Sequence, residues 1–505
     1  MSNQDLIDYL KECGVCQVCQ LRYLKARGSE YKDMKESFQK LNVEISNNED
    51  ESLTKKPRLN PCTTCLGLFS EEFQQEIIQK ITSCNIDQFE CQTIGIALSM
   101  PMLLQIRQLS MWFALIRKFG SKIDEDRSPD VPLKEAAKLI LNPIICQQLN
   151  KTYNSEGILI NVFLDHPDEL DDVARLLKVN EAVFSMKNAR GKKQLITRAY
   201  MEKMFIPTKL SAETFEKQFT IPCPIPSSGL TLKEVTLSGP CVFVAGRYRK
   251  LSRKLSHSPW VLQGKRVMED SIQEIIIRTI APHFGVDEDK IIFSSSGRED
   301  VDVRCLGRGR PFVLEIPNSK RITLPNALAL QMELEIEKSA QISVNNLQMV
   351  TRDDLVHIKT GEEKKKKFYR ALCVLERPIT VEVLKKLDMP NGFEIEQITP
   401  IRVLHRRPLH PRPRMIYSTK AWVDNKNPKI LIIDIISQAG TYIKELVHGD
   451  FGRTTPSFAS IIGQPIDIIA LDVVGIDLDW PADIDNRNIN NNIKIEVVDS
   501  VAVEA

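Results

Sequence analysis

The 505-residue chain has almost no net charge, +2 from 68 basic and 66 acidic side chains. No basic field covers the whole molecule, so any nucleic-acid surface has to be local. Long apolar runs are also missing. The most apolar stretch, Leu431-Ile-Ile-Asp-Ile-Ile436, is short and carries Asp434, which excludes a spanning helix. The start, Met1 to Lys11, contains acids and no extended apolar core, so no secretory leader is expected. No internal repeat of fixed period occurs. No strand pattern runs into a Gly-x-Gly turn, which removes the usual signal for a nucleotide cofactor. These absences point to an intracellular, reducing setting with no membrane partner. There, clustered cysteines read as metal ligands before disulfides.

What is present concentrates in one run, Phe293-Ser-Ser-Ser-Gly297-Arg298-Glu299-Asp300-Val301-Asp302-Val303-Arg304-Cys-Leu-Gly307-Arg308-Gly309-Arg310-Pro311-Phe312. It holds four arginines, three acids and three glycines between two apolar strand candidates, 290–293 and 311–316. Polar loops held between buried strands are where functional groups tend to sit. Guanidinium groups suit phosphate oxygens. Carboxylates among them are repelled by a nucleic acid unless they pair internally or have a chemical task. Residue type alone leaves both readings open, and it does not choose among Glu299, Asp300 and Asp302.

Twelve cysteines are unevenly spread, with five before Gly67: Cys13, Cys16, Cys19, Cys62 and Cys65. Two Cys-x-x-Cys knuckles supply four thiolates, the usual structural zinc set, and five residues compete for four places. Between them, Asn47 to Arg58 has the composition of a disordered insert.

From Glu71 the pattern alternates. Residues 71–83 and 102–119 show helical periodicity, 93–98 and 157–164 read as strands, and 166–177 as a helix. Arg190-Gly-Lys-Lys193 heads a basic helix, 194–205, suited to RNA contact or to a solvated face. Residues 206–238, with four prolines, read as a linker. After it come a buried strand candidate, 241–245, and a basic loop, 246–253, whose tyrosine and arginines suit RNA. Further on, Asp270 caps a helix to His283, a helix covers 327–338, and a charged turn at 361–366 precedes a strand. A hairpin pairs 415–423 with 429–437, and a helix follows over 441–448. Beyond Trp480 the Asn-rich, acidic end reads as disordered.

Ser296-Gly-Arg-Glu-Asp-Val-Asp-Val-Arg304 resembles the signature of the tRNA pseudouridine synthases of type ten, an archaeal and eukaryotic family acting in the TΨC loop. Val244-Ala-Gly-Arg-Tyr248, Arg402-Val-Leu-His-Arg-Arg-Pro408, Gln438-Ala-Gly-Thr-Tyr-Ile-Lys-Glu445 and His448-Gly-Asp-Phe-Gly-Arg-Thr454 match in the same order. The resemblance implies an α+β protein. A zinc-bearing segment (1–70) and a THUMP-like α/β RNA-binding module (71–220) precede a catalytic domain with a mixed, mostly antiparallel sheet (235–480) and a tail (481–505). It implies isomerisation of uridine to pseudouridine at uridines 54 and/or 55 of tRNA. That reaction needs no organic cofactor, and one carboxylate serves as nucleophile or general base.

The family pattern puts that carboxylate at Asp300, as nucleophile, with Lys444 as its charge partner. Lysine stands where the synthases have arginine, keeping the charge but losing the bidentate fork. Tyr369 and Tyr442 match tyrosines that hold the extruded base. Arg298 and Arg247 are substrate-binding candidates, and Arg249, Arg304, Arg406, Arg407 and Arg453 are further phosphate candidates. Cys16, Cys19, Cys62 and Cys65 fit as structural Zn2+ ligands, which leaves Cys13 spare. The expected partner is tRNA, with other structured RNA allowed, for a monomer in nucleus and/or cytoplasm. The rival reading is a non-catalytic RNA-binding adaptor on a synthase fold. A methyltransferase lacks its Gly-x-Gly turn.

Overall fold

A computed structural model describes residues 2–31, 33–41, 43, 60–120, 123, 131–179, 210–363 and 365–484. The insert at 47–58, the basic run Arg190–Lys193 with its helix, and the Asn-rich end lie outside the described residues. Two compact units emerge, Met1–Pro240 and Cys241–Ala505. No helix among the described residues is long and apolar enough to cross a membrane.

The first unit opens with helices Asn3–Glu12, Gln17–Tyr23 and Met34–Lys40. Helix Glu71–Thr82 follows, capped by Ser70, whose hydroxyl accepts from Phe73 N. Then come β1 (Thr93–Ser99), helices Leu103–Phe119 and Leu133–Leu149, β2 (Thr152–Tyr153), β3 (Ile158–Asp165), helix Glu169–Val179 and β4 (Thr231–Ser238). The sheet runs β2-β1-β3-β4, with β1 parallel to both neighbours and β4 antiparallel to β3. On β3 the alternate residues Ile158, Ile160, Val162 and Leu164 are fully buried, the period-two signature of a strand with one face on a core. β4 corrects the reading of 206–238 as linker throughout. It is an edge strand with a single buried side chain, Val235, so it carries no apolar alternation for sequence to show.

The second unit is built on one ten-stranded mixed sheet. Its strands are β5 (Val242–Lys250), β8 (Ile292–Ser295), β9 (Arg304–Ile316), β10 (Ile342–Val350), β11 (Lys367–Leu375), β12 (Phe393–Gln397), β13 (Arg412–Val423), β14 (Ile430–Ser437), β15 (Thr454–Thr455) and β16 (Ile466–Ile476). A separate small hairpin pairs β6 (Val261–Leu262) with β7 (Lys265–Arg266). The main order is β10-β5-β9-β16-β11-β14-β13-β12-β15, with β8 alongside β9. Every pairing is antiparallel except β9 with β16, which is parallel and only two residue pairs long, Asp472 opposite Arg304 and Val473 opposite Cys305. That short contact is a seam between two half-sheets.

Two cores cover the sheet, and the second also takes in Phe243, Ala245 and Val313 from across the seam. Helices Ile272–Phe284 and Asn326–Glu337 bring Ile276, Ile280 and Met332 onto Val244, Phe312 and Leu314. On the other half, Leu446 and Phe458 pack with Ala371, Ile433 and Ile435. Each such side chain contributes about 1.5–3 kcal/mol by leaving water.

Three local expectations change. The basic loop at 246–253 is strand as far as Lys250, because it pairs with β10 on one edge and β9 on the other, and Arg247 and Lys250 within it are buried against backbone carbonyls. The polar run at 293–312 is loop only over 296–303; from Arg304 it is one long strand. Ser271 rather than Asp270 caps the helix, its hydroxyl accepting from Glu274 N, while Asp270 accepts from Ser271 N.

Candidate active site

The loop 296–303 lies at the seam, and a cavity of about 510 Å³ opens above it, within the ~300–1,000 Å³ usual for small-ligand sites. Gly297 to Asp300, Arg310, Lys367, Tyr369, Arg402, Arg407, Gly440 to Lys444, Leu471 and Val473 are among its walls. Six basic and two acidic side chains line it, a local positive field that the overall charge hides.

The loop is held from below by two buried devices. Lys250, fully buried at the end of β5, donates to the carbonyls of Asp300 (2.9 Å), Val301 (2.6 Å) and Val303 (2.8 Å). Burial pulls its ammonium down to about 8, against the opposing pull of Glu299 and Asp302. Arg310 and Glu299 form an ion pair at 2.9 Å with both side chains buried. Arg310 also donates to Ser296 O, and Tyr248 OH donates to Glu299. Glu299 is therefore part of the floor. Gly297 sits at φ +90° with Lys367 Nζ and Arg310 Nη1 about 3 Å from where a Cβ would stand, so a side chain there would strain the backbone and press on the tips of both cations.

Above the floor, Asp300 points at cations. Arg402 Nη1 donates to its Oδ2 at 2.9 Å, and Lys444 Nζ lies 3.8 Å from the same oxygen. Lys444 is closer to Asp302, at 2.6 and 2.8 Å to its two oxygens. Burial alone would raise the Asp302 carboxyl, but the hydrogen bond and charge of Lys444 hold it below its usual value. Arg402 also grips the buried Glu445 (Nε to Oε1, 2.6 Å) and lies over the Tyr442 ring at 5.8 Å. Burial opposes the Arg402 charge, yet its bond to Glu445 prevails and raises its pKa. Gln397 fixes Tyr442 by bonding both its N–H and its carbonyl at 2.9 Å. Burial pushes the Tyr369 phenol up to about 12.

The structure thus gathers Asp300, Lys444, Tyr369, Tyr442 and Arg298 around one cavity. Arg247 is not there. It is 2% exposed, and its guanidinium donates to the carbonyls of Arg308, Gly309, Leu478 and Trp480, because β5 lies between β10 and β9. Burial draws its pKa down to about 10. Arg304 is likewise engaged, bidentately, by Asp472 (3.0 and 2.7 Å), which pins the seam. Sequence reasoning missed Arg402 as the nearest cation to Asp300, although the residue opens one of the motifs quoted above. It also missed Lys250 and Arg310, for which the sequence carries no signal beyond a cation in a strand.

In the first unit, Cys16, Cys19, Cys62 and Cys65 bring their sulfurs within 4.8 Å of one another. Cys13 is outside the group. Cys16 Sγ and Cys65 Sγ are 3.7 Å apart, too far for a disulfide. Hydrogen bonds from Cys16 hold the Cys62 thiol well below its usual pKa, whereas burial pushes Cys19 and Cys65 well up. Four thiols so arranged could hold a metal ion.

Two family models match the chain: "Pus10, C-terminal" over residues 243–477 and "Eukaryotic Pus10, N-terminal" over 62–237. The chain is 57% identical over 495 residues to the putative tRNA pseudouridine synthase Pus10 of Drosophila melanogaster, covering 96% of this chain and 99% of the relative. It is 38% identical to the tRNA pseudouridine synthase Pus10 of Mus musculus, over 88% of this chain and 83% of the relative. The tRNA pseudouridine synthase Pus10 of Pyrococcus furiosus is 38% identical over 240 residues, 46% of this chain and 57% of that protein. A solved Cbf5-Nop10-Gar1 complex is 14% identical over 45% of this chain and 47% of its own, at a TM-score of 0.26, a likeness too slight to carry an argument.

Proposed function

The chain belongs to the Pus10 family of tRNA pseudouridine synthases, and from that premise we propose that Asp300 supplies the carboxylate for isomerising a TΨC-loop uridine, 54 and/or 55, in tRNA. In that reaction the N1–C1′ bond breaks, the base turns, C5 bonds to C1′, the C5 proton leaves to solvent and N1 takes one up. The observation that carries the reading is Asp300 itself, in a cavity lined by cations, with Arg402 at 2.9 Å, Lys444 at 3.8 Å and Tyr369 and Tyr442 on the walls. The tyrosines offer flat surfaces to an extruded uracil. Arg298 and Arg407 suit the flanking phosphates.

Zinc suits the four thiols. Four sulfurs about 2.3 Å from a tetrahedral Zn2+ are about 3.8 Å apart, and Cys16 and Cys65 already stand 3.7 Å apart. Its role would be to join the two knuckles. The α/β sheet of the first unit we read as the THUMP-like part that grips tRNA, with Arg190 to Lys193 as further contacts.

The test is Asp300→Asn, which keeps shape and removes charge. It should bind an unmodified tRNA transcript in a gel-shift yet release no tritium from C5-labelled uridine, while Asp302→Asn keeps substantial activity. Near-normal release from Asp300→Asn rejects the assignment.

A further inference from the structure

Beside the cavity, the chain does something energetically unfavourable. Residues Gly449, Asp450, Phe451 and Gly452 all have positive φ, at 83°, 45°, 55° and 85°. Glycine takes this region freely, but a Phe there is an outlier. The strain gains no burial, because Phe451 is 96% exposed. A single exposed apolar residue is ordinary on a protein surface. One lifted clear of it by a left-handed backbone is not, since strain of this kind persists where the surroundings over-determine it and tends to mark function.

The surroundings do over-determine it. Asp450 is buried, its N–H donates to His448 Nδ1 at 3.0 Å, and its Oδ2 accepts from Ile401 N at 3.1 Å. Gly452 N and Thr454 N both donate to Gly449 O, and Arg453 N to Asp450 O. The loop is a tied platform. A short path joins it to the site: Asp450 bonds Ile401, whose neighbour Arg402 bonds Asp300. The loop also follows directly on helix Ile443–His448, which carries Lys444. The adjoining segment 402–414 has five arginines and no acid, and Arg453 follows the loop. A flat apolar ring beside a purely cationic segment fits a polyanion that carries flat apolar faces.

We infer that Phe451 is a stacking platform for a nucleobase of the bound RNA, outside the cavity that takes the target uridine. This rests on the tRNA substrate proposed above. Phe451 would hold the nucleotides flanking the target and so act on binding, while Asp300 acts on chemistry. Base–aromatic stacking is sequence-tolerant, so no particular base is required.

The experiment uses the full chain and an unmodified tRNA transcript. Dissociation constants are read across a salt series, with tritium release and thermal melting beside them. Phe451→Ala should weaken binding roughly 5- to 150-fold, the span of losing one stacked base. The slope against salt should stay parallel to wild type, because no cation is lost. Phe451→Leu, which keeps an apolar side chain without a flat face, should weaken it similarly, and Phe451→Trp should restore it. The melting temperature of Phe451→Ala should not fall, since nothing buried is removed. Wild-type affinity in Phe451→Ala, or in Phe451→Leu, overturns the platform while leaving the tRNA reading intact. If wild type itself neither binds the transcript nor releases tritium, the tRNA reading fails and takes this inference with it.

Discussion

Lys250 gives the sharpest test of how the loop is held. Methionine at that position keeps a long unbranched stem and removes every donor. Three carbonyls, those of Asp300, Val301 and Val303, then lose charge-assisted bonds worth about 1.5–3 kcal/mol each. Against this stands relief from burying a cation. A pKa of about 8 in place of 10.5 means the site as a whole, burial net of the opposing carboxylates, disfavours the charged form by about 3 kcal/mol. The net loss near pH 7 is therefore roughly 1–6 kcal/mol. The sign of the pH dependence follows from linkage. Between about 8 and 10.5 the unfolded chain keeps a proton that the folded one releases, so wild-type stability gains from this group as pH rises and loses the gain as pH falls through 8. Lys250→Met lacks the titration, and other groups cancel in the comparison. The gap between the two proteins should widen by about 2 kcal/mol by pH 9.5, roughly 4–8 °C in melting temperature for a unit of this size. With the loop unpinned, turnover should also fall about 100-fold, as for a displacement of about 1 Å at a reacting group, while tRNA affinity changes little. Melting curves at pH 7.0, 8.5 and 9.5 beside tritium release decide it. A gap that stays constant or narrows with pH would refute the reasoning.

Two further outcomes follow from the same geometry. Arg402→Ala removes the nearest cation from Asp300 and leaves the buried Glu445 without its guanidinium, so it should lower stability by about 1–3 kcal/mol and lose more turnover than Lys444→Ala; a slower Lys444→Ala in the tritium assay reverses that ranking. Purified protein should carry about one zinc per chain by elemental analysis, Cys62→Ser should lose it and destabilise the first unit, and Cys13→Ser should keep it; full zinc in Cys62→Ser removes the assignment.

Residues close in sequence, together with the element types that local patterning dictates, were legible without coordinates. The motif around Asp300 could be quoted because its residues are contiguous. β3 could be found because one buried face imposes a period of two. The two Cys-x-x-Cys knuckles could be seen because their spacing is local, and the family pattern picked the four of five cysteines whose sulfurs the structure groups together. Long-range partnership was decided by the tertiary structure. Asp300 and Asp302 would share a face in a strand, but Val303 N donates back to Asp300 O at 3.1 Å, which makes a turn. The two carboxylates then meet different nearest cations, Arg402 and Lys444, contributed from about a hundred residues or more further along the chain. Arg247 and Lys250 read as part of a basic loop suited to RNA, with Arg247 a substrate-binding candidate. They are buried because β5 runs between β10 and β9, and only there do carbonyls converge on them from residues such as Asp300 and Trp480. A charged side chain can be buried wherever the fold supplies its hydrogen bonds, and no window of sequence contains those partners.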